Sequence, residues 1–248
     1  MTLELHTESR GTGGMPVLFA HSFAGDLTHW RDALDYLAPQ RRAVAFDFSG
    51  HGGSPAAVGR YSYDELAKDI GAVADAQKLD TFVLVGHSMG AAIAAEYAAR
   101  YAPRVKALIL VDPPPAPGAI PRDQLQHLLA ALDKDPYPVV EQFWQQQMFI
   151  DSRTEVRQRL LAGLRRLARN AAAELTREAF NVDASAPLRR YGGPKFAIVT
   201  PRNDAPLSLH RAVPNVKHAV IMGTGHWIHL DKPDVFNDAL NRMLKSVI

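Results

Sequence analysis

Six short runs of apolar residues are spaced along the chain, and longer stretches with helical spacing of their apolar residues lie between them. Because the runs are continuously apolar, each predicts a strand buried on both faces, as in a parallel sheet covered by helices. The alternation predicts a doubly wound α/β sandwich with right-handed crossovers. The predicted strands are 17–20, 43–46, 82–86, 107–111, 196–200 and 218–222, and the predicted helices include 27–37, 63–77, 88–101 and 233–247.

This alternation stops after residue 111. Residues 112–117 read Asp-Pro-Pro-Pro-Ala-Pro, and prolines cannot continue a strand ladder. The next stretches have helical character and contain no clear strand, until Gly192-Gly193-Pro194 leads back into the strand at 196–200. We therefore predict a core formed by 1–112 and 193–248, with a helical cap insertion at 113–192 that lies over the strand ends. The predicted cap helices are 122–133, 137–149, 153–169 and 171–181.

Composition excludes several classes of protein. The 248 residues are 47% apolar and 22% charged, which is typical of a globular protein, and the net charge of +2 gives no reason to expect nucleic acid. The chain has no cysteine, so disulfides, a thiolate nucleophile and cysteine-ligated metals are excluded. The sequence has neither a signal-peptide pattern nor an apolar window long enough to span a membrane. We expect a cytoplasmic enzyme, a monomer or homodimer, without a membrane partner.

Residues 86–90 read Gly-His-Ser-Met-Gly and directly follow the apolar run at 82–85. This is the G-x-S-x-G pattern in its strand–turn–helix context, in which the turn exposes a serine hydroxyl at the edge of a sheet. The pattern alone is weak evidence, and its position after a predicted strand is what makes it informative. Ser88 is the predicted nucleophile.

A serine nucleophile needs a base and an acid, which in this architecture follow it in the order Asp or Glu, then His. His226 lies in a glycine-rich stretch after the last predicted strand and is the predicted base. Two acids satisfy the order. Asp204 lies in the loop after 196–200, and Asp112 directly follows 107–111. We favour Asp204 and interpret Asp112 as a polar residue that leads the chain into the cap, although both remain open.

The developing oxyanion needs two hydrogen-bond donors. The first is expected from the backbone amide of Met89, the residue after the nucleophile. The second is expected from the loop after 17–20, where we assign the amide of Phe23. His21 precedes Ser88, against the expected order, so we expect it to orient this loop rather than to act as the base.

Four ordered motifs resemble those of the α/β-hydrolase family. Besides residues 86–90, the stretch 21–25 followed by Trp30 is similar to the family's His-Gly-x-x-Gly…Trp. Residues 47–54 are similar to its Asp-x-x-Gly-His-Gly-x-Ser, and 225–227 with 232–233 are similar to its C-terminal pattern. The resemblance covers nearly the whole chain and points to the capped branch of esterases, lactonases, C–C hydrolases and cofactor-free haloperoxidases. It implies the α/β-hydrolase fold, a mostly parallel sheet flanked by helices with a helical cap insertion.

Three positions depart from the family pattern. Ser22 replaces the usual glycine after His21, and Ser49 stands where arginine is common. The loop that contains Asp204 lacks the frequent Gly-x-x-Asp form, which weakens the assignment of that acid. Serine at position 88, rather than aspartate, disfavours dehalogenase and epoxide hydrolase activity.

The expected function is therefore a cofactor-independent serine hydrolase that cleaves small carboxylic esters or lactones through an acyl-enzyme. The chain lacks both a metal-lactonase His/Asp motif and a Gly-rich dinucleotide loop, so neither a metal nor a cofactor is expected. C–C hydrolysis of vinylogous diketones, perhydrolysis, and a non-enzymatic ligand receptor with the same fold are the alternatives. Substrate contacts are expected from Ser22, Trp144, Met148 and Trp227, although Trp144 and Met148 have the helical spacing of ordinary cap packing.

Overall fold

The computed structural model of the protein describes residues 4–56, 59, 61–115 and 122–247. The helices of this part of the chain pack around one β-sheet. Within those residues the sheet has seven strands in the order β1-β3-β2-β4-β5-β6-β7. Only β1 runs antiparallel, against β3, and the other neighbouring pairs are parallel. This confirms the predicted mostly parallel sheet. The strands are β1 (Thr7–Arg10), β2 (Val17–Ala20), β3 (Ala43–Phe46), β4 (Phe82–His87), β5 (Val105–Val111), β6 (Lys195–Val199) and β7 (Val216–Val220).

The two edge strands differ from the sequence prediction. β1 reads Thr-Glu-Ser-Arg and is half-buried to exposed, so it has no apolar run by which it could be recognised. The apolar run predicts β7 at 218–222 as a strand buried on both faces, whereas the strand lies at 216–220 and is largely exposed. It is the last strand of the sheet and pairs only with β6, which explains its exposure.

Helices cover both faces of the sheet. Alternate residues of β2 point to opposite sides: Val17 and Phe19 join the apolar cluster that contains Leu34 and Leu240, whereas Leu18 joins the cluster on the other face. The helices are α1 (Arg31–Leu37), α2 (Tyr63–Ala76), α3 (Met89–Arg100), α4 (Arg122–Leu132), α5 (Pro136–Phe143), α6 (Thr154–Arg166), α7 (Arg169–Asn181), α8 (Ser185–Arg190), α9 (Leu209–Ala212), α10 (Ile228–Asp231) and α11 (Pro233–Lys245). None of the described helices is long and apolar enough to cross a membrane.

Helices α4–α8 are inserted between β5 and β6, and we call them the inserted helices. Their apolar residues, among them Leu160, Leu164 and Leu175, belong to the same cluster as α3 and one face of the sheet. The helix predicted at 137–149 is interrupted, because α5 continues into a π-helical turn at Trp144–Met148. Residues 116–121 of the predicted cap lie outside the described part of the chain.

Candidate active site

Ser88 lies in the turn between β4 and α3, with backbone angles φ 51° and ψ −117°. A non-glycine residue with positive φ costs on the order of 1–3 kcal/mol, and such strain clusters at functional sites. A Cβ atom on Gly86 would clash with the Gly90 carbonyl oxygen, and one on Gly90 would clash with the His21 carbonyl oxygen. Glycine is therefore required on both sides of Ser88, which accounts for the spacing of the pattern.

His226 packs against His87, the residue that precedes Ser88. His87 Nε2 donates a 3.0 Å hydrogen bond to the His226 carbonyl oxygen, and the two ring centroids are 4.7 Å apart. Since a carbonyl oxygen only accepts, the proton of His87 is on Nε2. Burial lowers the pKa of His87 well below its usual value, so this imidazole stays neutral. The His87 side chain thus holds the backbone of His226.

Asp112 is the carboxylate that contacts His226. The distance from His226 Nδ1 to Asp112 Oδ2 is 2.6 Å, and both side chains are nearly buried. The other carboxylate oxygen, Oδ1, accepts from the amide and hydroxyl of Thr200 at 2.8 and 3.1 Å and from Asn203 Nδ2 at 3.1 Å. With Nδ1 donating to the carboxylate, His226 Nε2 carries a lone pair. It is buried and has no hydrogen-bond partner among the described residues, so it can accept a proton.

The topology of the sheet brings Asp112 beside Ser88. β4 and β5 are parallel neighbours, with His87 opposite Val111. The amide of Ser88 donates a 2.9 Å hydrogen bond to the carbonyl of Val111. Ser88 and Asp112 are the residues that follow these two strand ends, so both lie at one edge of the sheet.

The expectation that Asp204 orients His226 is therefore corrected. Asp204 follows β6, one strand further from Ser88, and its carboxylate is bound elsewhere. Arg211 makes a bidentate contact with Oδ1 and Oδ2 at 2.8 and 2.9 Å, and His210 Nε2 lies 3.0 Å from Oδ1. The sequence contains a signal in favour of Asp112, because this residue directly follows β5. β5 pairs with β4, the strand that leads into Ser88.

The loop after β2 is held by His21, as expected from the sequence. Its Nδ1 donates to the Ser22 carbonyl at 2.7 Å, and its Nε2 accepts from the amide of Phe48 at 3.0 Å. Burial lowers the pKa of His21 to about 4, so both bonds persist at neutral pH. Within the described residues, nothing accepts a hydrogen bond from the amides of Phe23 and Met89. These are the two amides assigned to the oxyanion.

Ser22 connects this loop to the loop of His226. Its hydroxyl accepts a 3.2 Å hydrogen bond from Trp227 Nε1, and both side chains are buried. The hydroxymethyl group of Ser22 takes the place of the hydrogen of the glycine that is usual in the family. Its oxygen is the hydrogen-bond acceptor of the Trp227 indole N–H. Ser22 and Trp227, both predicted substrate contacts, thus contact each other.

Aromatic side chains from the segment between α5 and α6 pack on Trp227. The rings of Trp144 and Trp227 meet edge to face with centroids 5.2 Å apart, and Phe23 meets Trp144 at 6.1 Å. Trp144 is buried, whereas Phe23 and Met148 are partly buried against the same cluster. Phe149, which packs on Trp227 at 5.6 Å, also lines a cavity of about 360 Å³ together with Gln145, Arg157 and Leu161. The predicted contacts Trp144 and Met148 therefore contribute to packing between the inserted helices and the site.

Ser49, the second departure from the family pattern, hydrogen-bonds Asp69. Its amide and hydroxyl donate to the Asp69 carboxylate at 2.8 and 3.0 Å. Both donors are neutral, no described residue forms an ion pair with this carboxylate, and burial raises the pKa of Asp69 to about 6. The hydroxyl thus provides a hydrogen bond to Asp69 without neutralising its charge.

A buried carboxylate fastens the inserted helices to the loop of His226. Asp231 Oδ2 accepts from the Ser152 hydroxyl and the Gly225 amide, both at 2.9 Å, and its Oδ1 accepts from the Arg153 amide at 2.9 Å. Next to these bonds, the amide of His226 donates to the Met148 carbonyl at 3.0 Å, at the end of the π-helical turn. We call this set of four bonds the Asp231 clamp.

Replacing Asp231 with alanine is expected to lower kcat by roughly 10- to 100-fold and to destabilise the fold by a few kcal/mol. Three donors would lose their acceptor in a buried place, and small displacements of a catalytic group are costly. Steady-state kinetics and urea unfolding measure the two effects. Asp231→Asn keeps the shape of the side chain and one acceptor oxygen, so its kcat and its free energy of unfolding are expected to lie between those of the wild type and Asp231→Ala. Asp80→Asn, at an exposed position, serves as the control. Wild-type kcat in Asp231→Ala would show that the clamp does not position His226.

Known proteins of similar sequence include two long matches. The chain is 29% identical to the dihydrolipoyllysine-residue acetyltransferase component of the acetoin cleaving system of Pseudomonas putida, over 96% of this chain and 66% of that protein. It is 26% identical to the sn-1-specific diacylglycerol lipase of Mus musculus, over 92% of this chain and 80% of that protein. The chain thus spans just under two thirds of the length of the Pseudomonas relative.

The fold resembles solved structures of hydrolases. A thermophilic esterase from Thermogutta terrifontis superposes with a TM-score of 0.83 at 23% identity, covering 99% of this chain and 94% of the esterase. The family model described as "alpha/beta hydrolase fold" matches residues 15–162, more than half of the chain. Together with the sheet order and the strained serine turn, this match shows that the chain belongs to the alpha/beta hydrolase fold family.

Proposed function

We propose that this protein is a serine hydrolase that cleaves small carboxylic esters or lactones. The observation that carries the proposal is the arrangement around His226. Its Nδ1 is 2.6 Å from the buried Asp112 carboxylate, its Nε2 has no partner among the described residues, and its backbone is held by the residue before the strained Ser88. A base that is oriented by a carboxylate beside a serine is the arrangement required for acyl transfer.

In the first half of the reaction, the Ser88 hydroxyl oxygen bonds to the carbonyl carbon of the substrate while His226 Nε2 takes the hydroxyl proton. The electron pair of the carbonyl moves to its oxygen, where the amides of Phe23 and Met89 donate hydrogen bonds. The tetrahedral intermediate then expels the alkoxide, which receives the proton from His226. Asp112 keeps the imidazole in the required tautomer and stabilises the imidazolium.

In the second half, water attacks the acyl-enzyme, and His226 takes the proton of the water. The ester bond to Ser88 breaks, the serine recovers its proton, and a carboxylic acid is released. For a lactone, the alcohol and the acid are parts of one molecule, so the product is a hydroxy acid. No step requires a metal or a cofactor.

The surroundings favour a small substrate with an apolar acyl or aryl group. An aromatic cluster lies beside the base: Trp227 packs on His226, Trp144 packs on Trp227, and the partly buried Phe23 packs on Trp144. The cavity of about 360 Å³ that Phe149 lines is not lined by Ser88 or His226, so the preference for an apolar group rests on the aromatic cluster beside the base. The esterase and lipase among the similar proteins act on esters.

The test is covalent labelling followed by a substrate panel. A fluorophosphonate probe is expected to label the protein with one equivalent, and peptide mass spectrometry is expected to place the label on Ser88. Turnover is then measured on p-nitrophenyl esters of increasing chain length, on aliphatic lactones and on a vinylogous diketone. Labelling that persists in Ser88→Ala, or turnover of the diketone alone, would contradict the proposal.

A further inference from the structure

Asp204, which does not orient His226, is the centre of a cluster of donors at the edge of the sheet. His210 in α9 lies with Nε2 3.0 Å from Asp204 Oδ1, and His218 in β7 lies with Nε2 3.7 Å from the same oxygen. The three possible ligand atoms all lie within 4.8 Å of one another. They come from three consecutive segments: the loop after β6, the short helix α9 and the edge strand β7.

The spacing of these atoms suits a tetrahedral metal ion. Zinc binds histidine nitrogen and carboxylate oxygen at about 2.0–2.2 Å, so neighbouring ligand atoms in a tetrahedral site are about 3.3 Å apart. The two distances from Asp204 Oδ1, 3.0 and 3.7 Å, lie on either side of this value. The ring centroids of the two imidazoles are 4.8 Å apart, and the side chain of His218 is partly exposed on the edge strand.

A metal ion would bind His210 through the nitrogen that faces Asp204 and would take the place of the proton on that nitrogen. Metal ligands must be a neutral imidazole and an ionised carboxylate. Since a carboxylate only accepts, His210 Nε2 carries a proton that it donates to Asp204 Oδ1 in the structure. An ion on Nε2 therefore requires this proton to leave or to move to Nδ1, which is buried and has no hydrogen-bond partner among the described residues.

Arg211 occupies the carboxylate in the structure. Its guanidinium binds both oxygens of Asp204, and its side chain is about half exposed. Because the arginine lies at the surface, it can leave the carboxylate and extend into water without being buried unpaired. An ion that enters the cluster therefore has to displace Arg211, and this competition lowers its affinity in a way that can be measured.

We propose that Asp204, His210 and His218 form a binding site for a Zn²⁺ ion, with water as the fourth ligand. Two imidazoles and one carboxylate form a donor set that zinc uses in proteins. The site is separate from Ser88 and His226 and does not depend on the proposed function. Its loop is nevertheless next to the triad acid, since Asn203 donates to both Asp112 Oδ1 and the Pro113 carbonyl.

Calorimetric titration of the chelator-treated, tag-free full chain with ZnCl₂ tests the proposal. One equivalent of Zn²⁺ is expected to bind, and titration with Co²⁺ is expected to give the visible absorption of a tetrahedral site. His218→Ala, on the exposed strand, is expected to weaken Zn²⁺ binding by more than about tenfold. His127→Ala, which removes an exposed histidine of α4, is expected to leave binding unchanged.

Arg211→Gln provides the complementary variant. It removes a positive charge that competes for Asp204, so Zn²⁺ affinity is expected to rise by roughly tenfold. Weakened binding in His218→Ala together with tightened binding in Arg211→Gln would support the site. Absence of binding to both the wild type and Arg211→Gln, or equal losses in His218→Ala and His127→Ala, would overturn it.

Discussion

Ser88→Ala is expected to lower kcat for ester hydrolysis by about 10⁶-fold, as in a serine hydrolase whose nucleophile is removed. The alanine keeps the strained turn between β4 and α3 but has no oxygen that can form the acyl-enzyme. The residual rate should come only from substrate binding and the two oxyanion amides. Steady-state kinetics with p-nitrophenyl acetate, and burst measurements of the first turnover, determine the loss.

The matched experiment combines this variant with His226→Ala. Because nucleophile and base act as one unit, the double variant is expected to be about as slow as either single variant. His127→Ala controls for the loss of an exposed histidine, and circular dichroism verifies the fold. Turnover of Ser88→Ala within tenfold of the wild type would rule out the acyl-enzyme route.

Asp112→Asn is expected to lower kcat by about 10⁴-fold while leaving the unfolding midpoint close to that of the wild type. The amide of the asparagine donates to His226 Nδ1, whereas the carboxylate accepts from it at 2.6 Å. The imidazole is then forced to carry its proton on Nε2, the atom that must accept the proton of Ser88. The loss should therefore be in kcat, with a smaller change in KM.

Asp204→Asn is the control that separates the two candidate acids. Its carboxylate contacts Arg211 and His210 rather than His226, so kcat is expected to change by less than about tenfold. If Asp204→Asn instead reduced kcat by about 10⁴-fold and Asp112→Asn did not, Asp204 would be the acid in solution. The two variants carry the same chemical change, so charge alone cannot account for a difference between them.

The fold was predictable where the apolar pattern is local. β2 and β3 have the bounds that their apolar runs predict, because strands buried on both faces leave a continuous signature. β1 leaves no such signature, since it is a polar edge strand added by pairing with β3. The π-helical turn at Trp144–Met148 is likewise invisible in helical spacing, which differs little between α and π geometry over five residues.

The candidate site was predictable where one segment determines the geometry. The turn at Ser88 and the anchoring of the loop by His21 depend on residues near each other in the sequence or in adjacent strands. The partner of His226 depends on the order of the strands in the sheet, because Asp112 lies 114 residues before His226 in the sequence. The sequence placed both acids at the same sheet edge, and only the neighbouring positions of β4 and β5 distinguish them.

The Asp231 clamp has a consequence for exchanging parts between related hydrolases. The segment between α5 and α6 contributes the Ser152 hydroxyl, the Arg153 amide and the Met148 carbonyl, whereas residues 225–231 contribute their partners. A chimera that imports foreign inserted helices but keeps the native C-terminal loop would leave Asp231 facing mismatched donors, with the base displaced. The position of His226 is thus coupled to the segment between α5 and α6, and recombination has to move 144–153 together with 225–231.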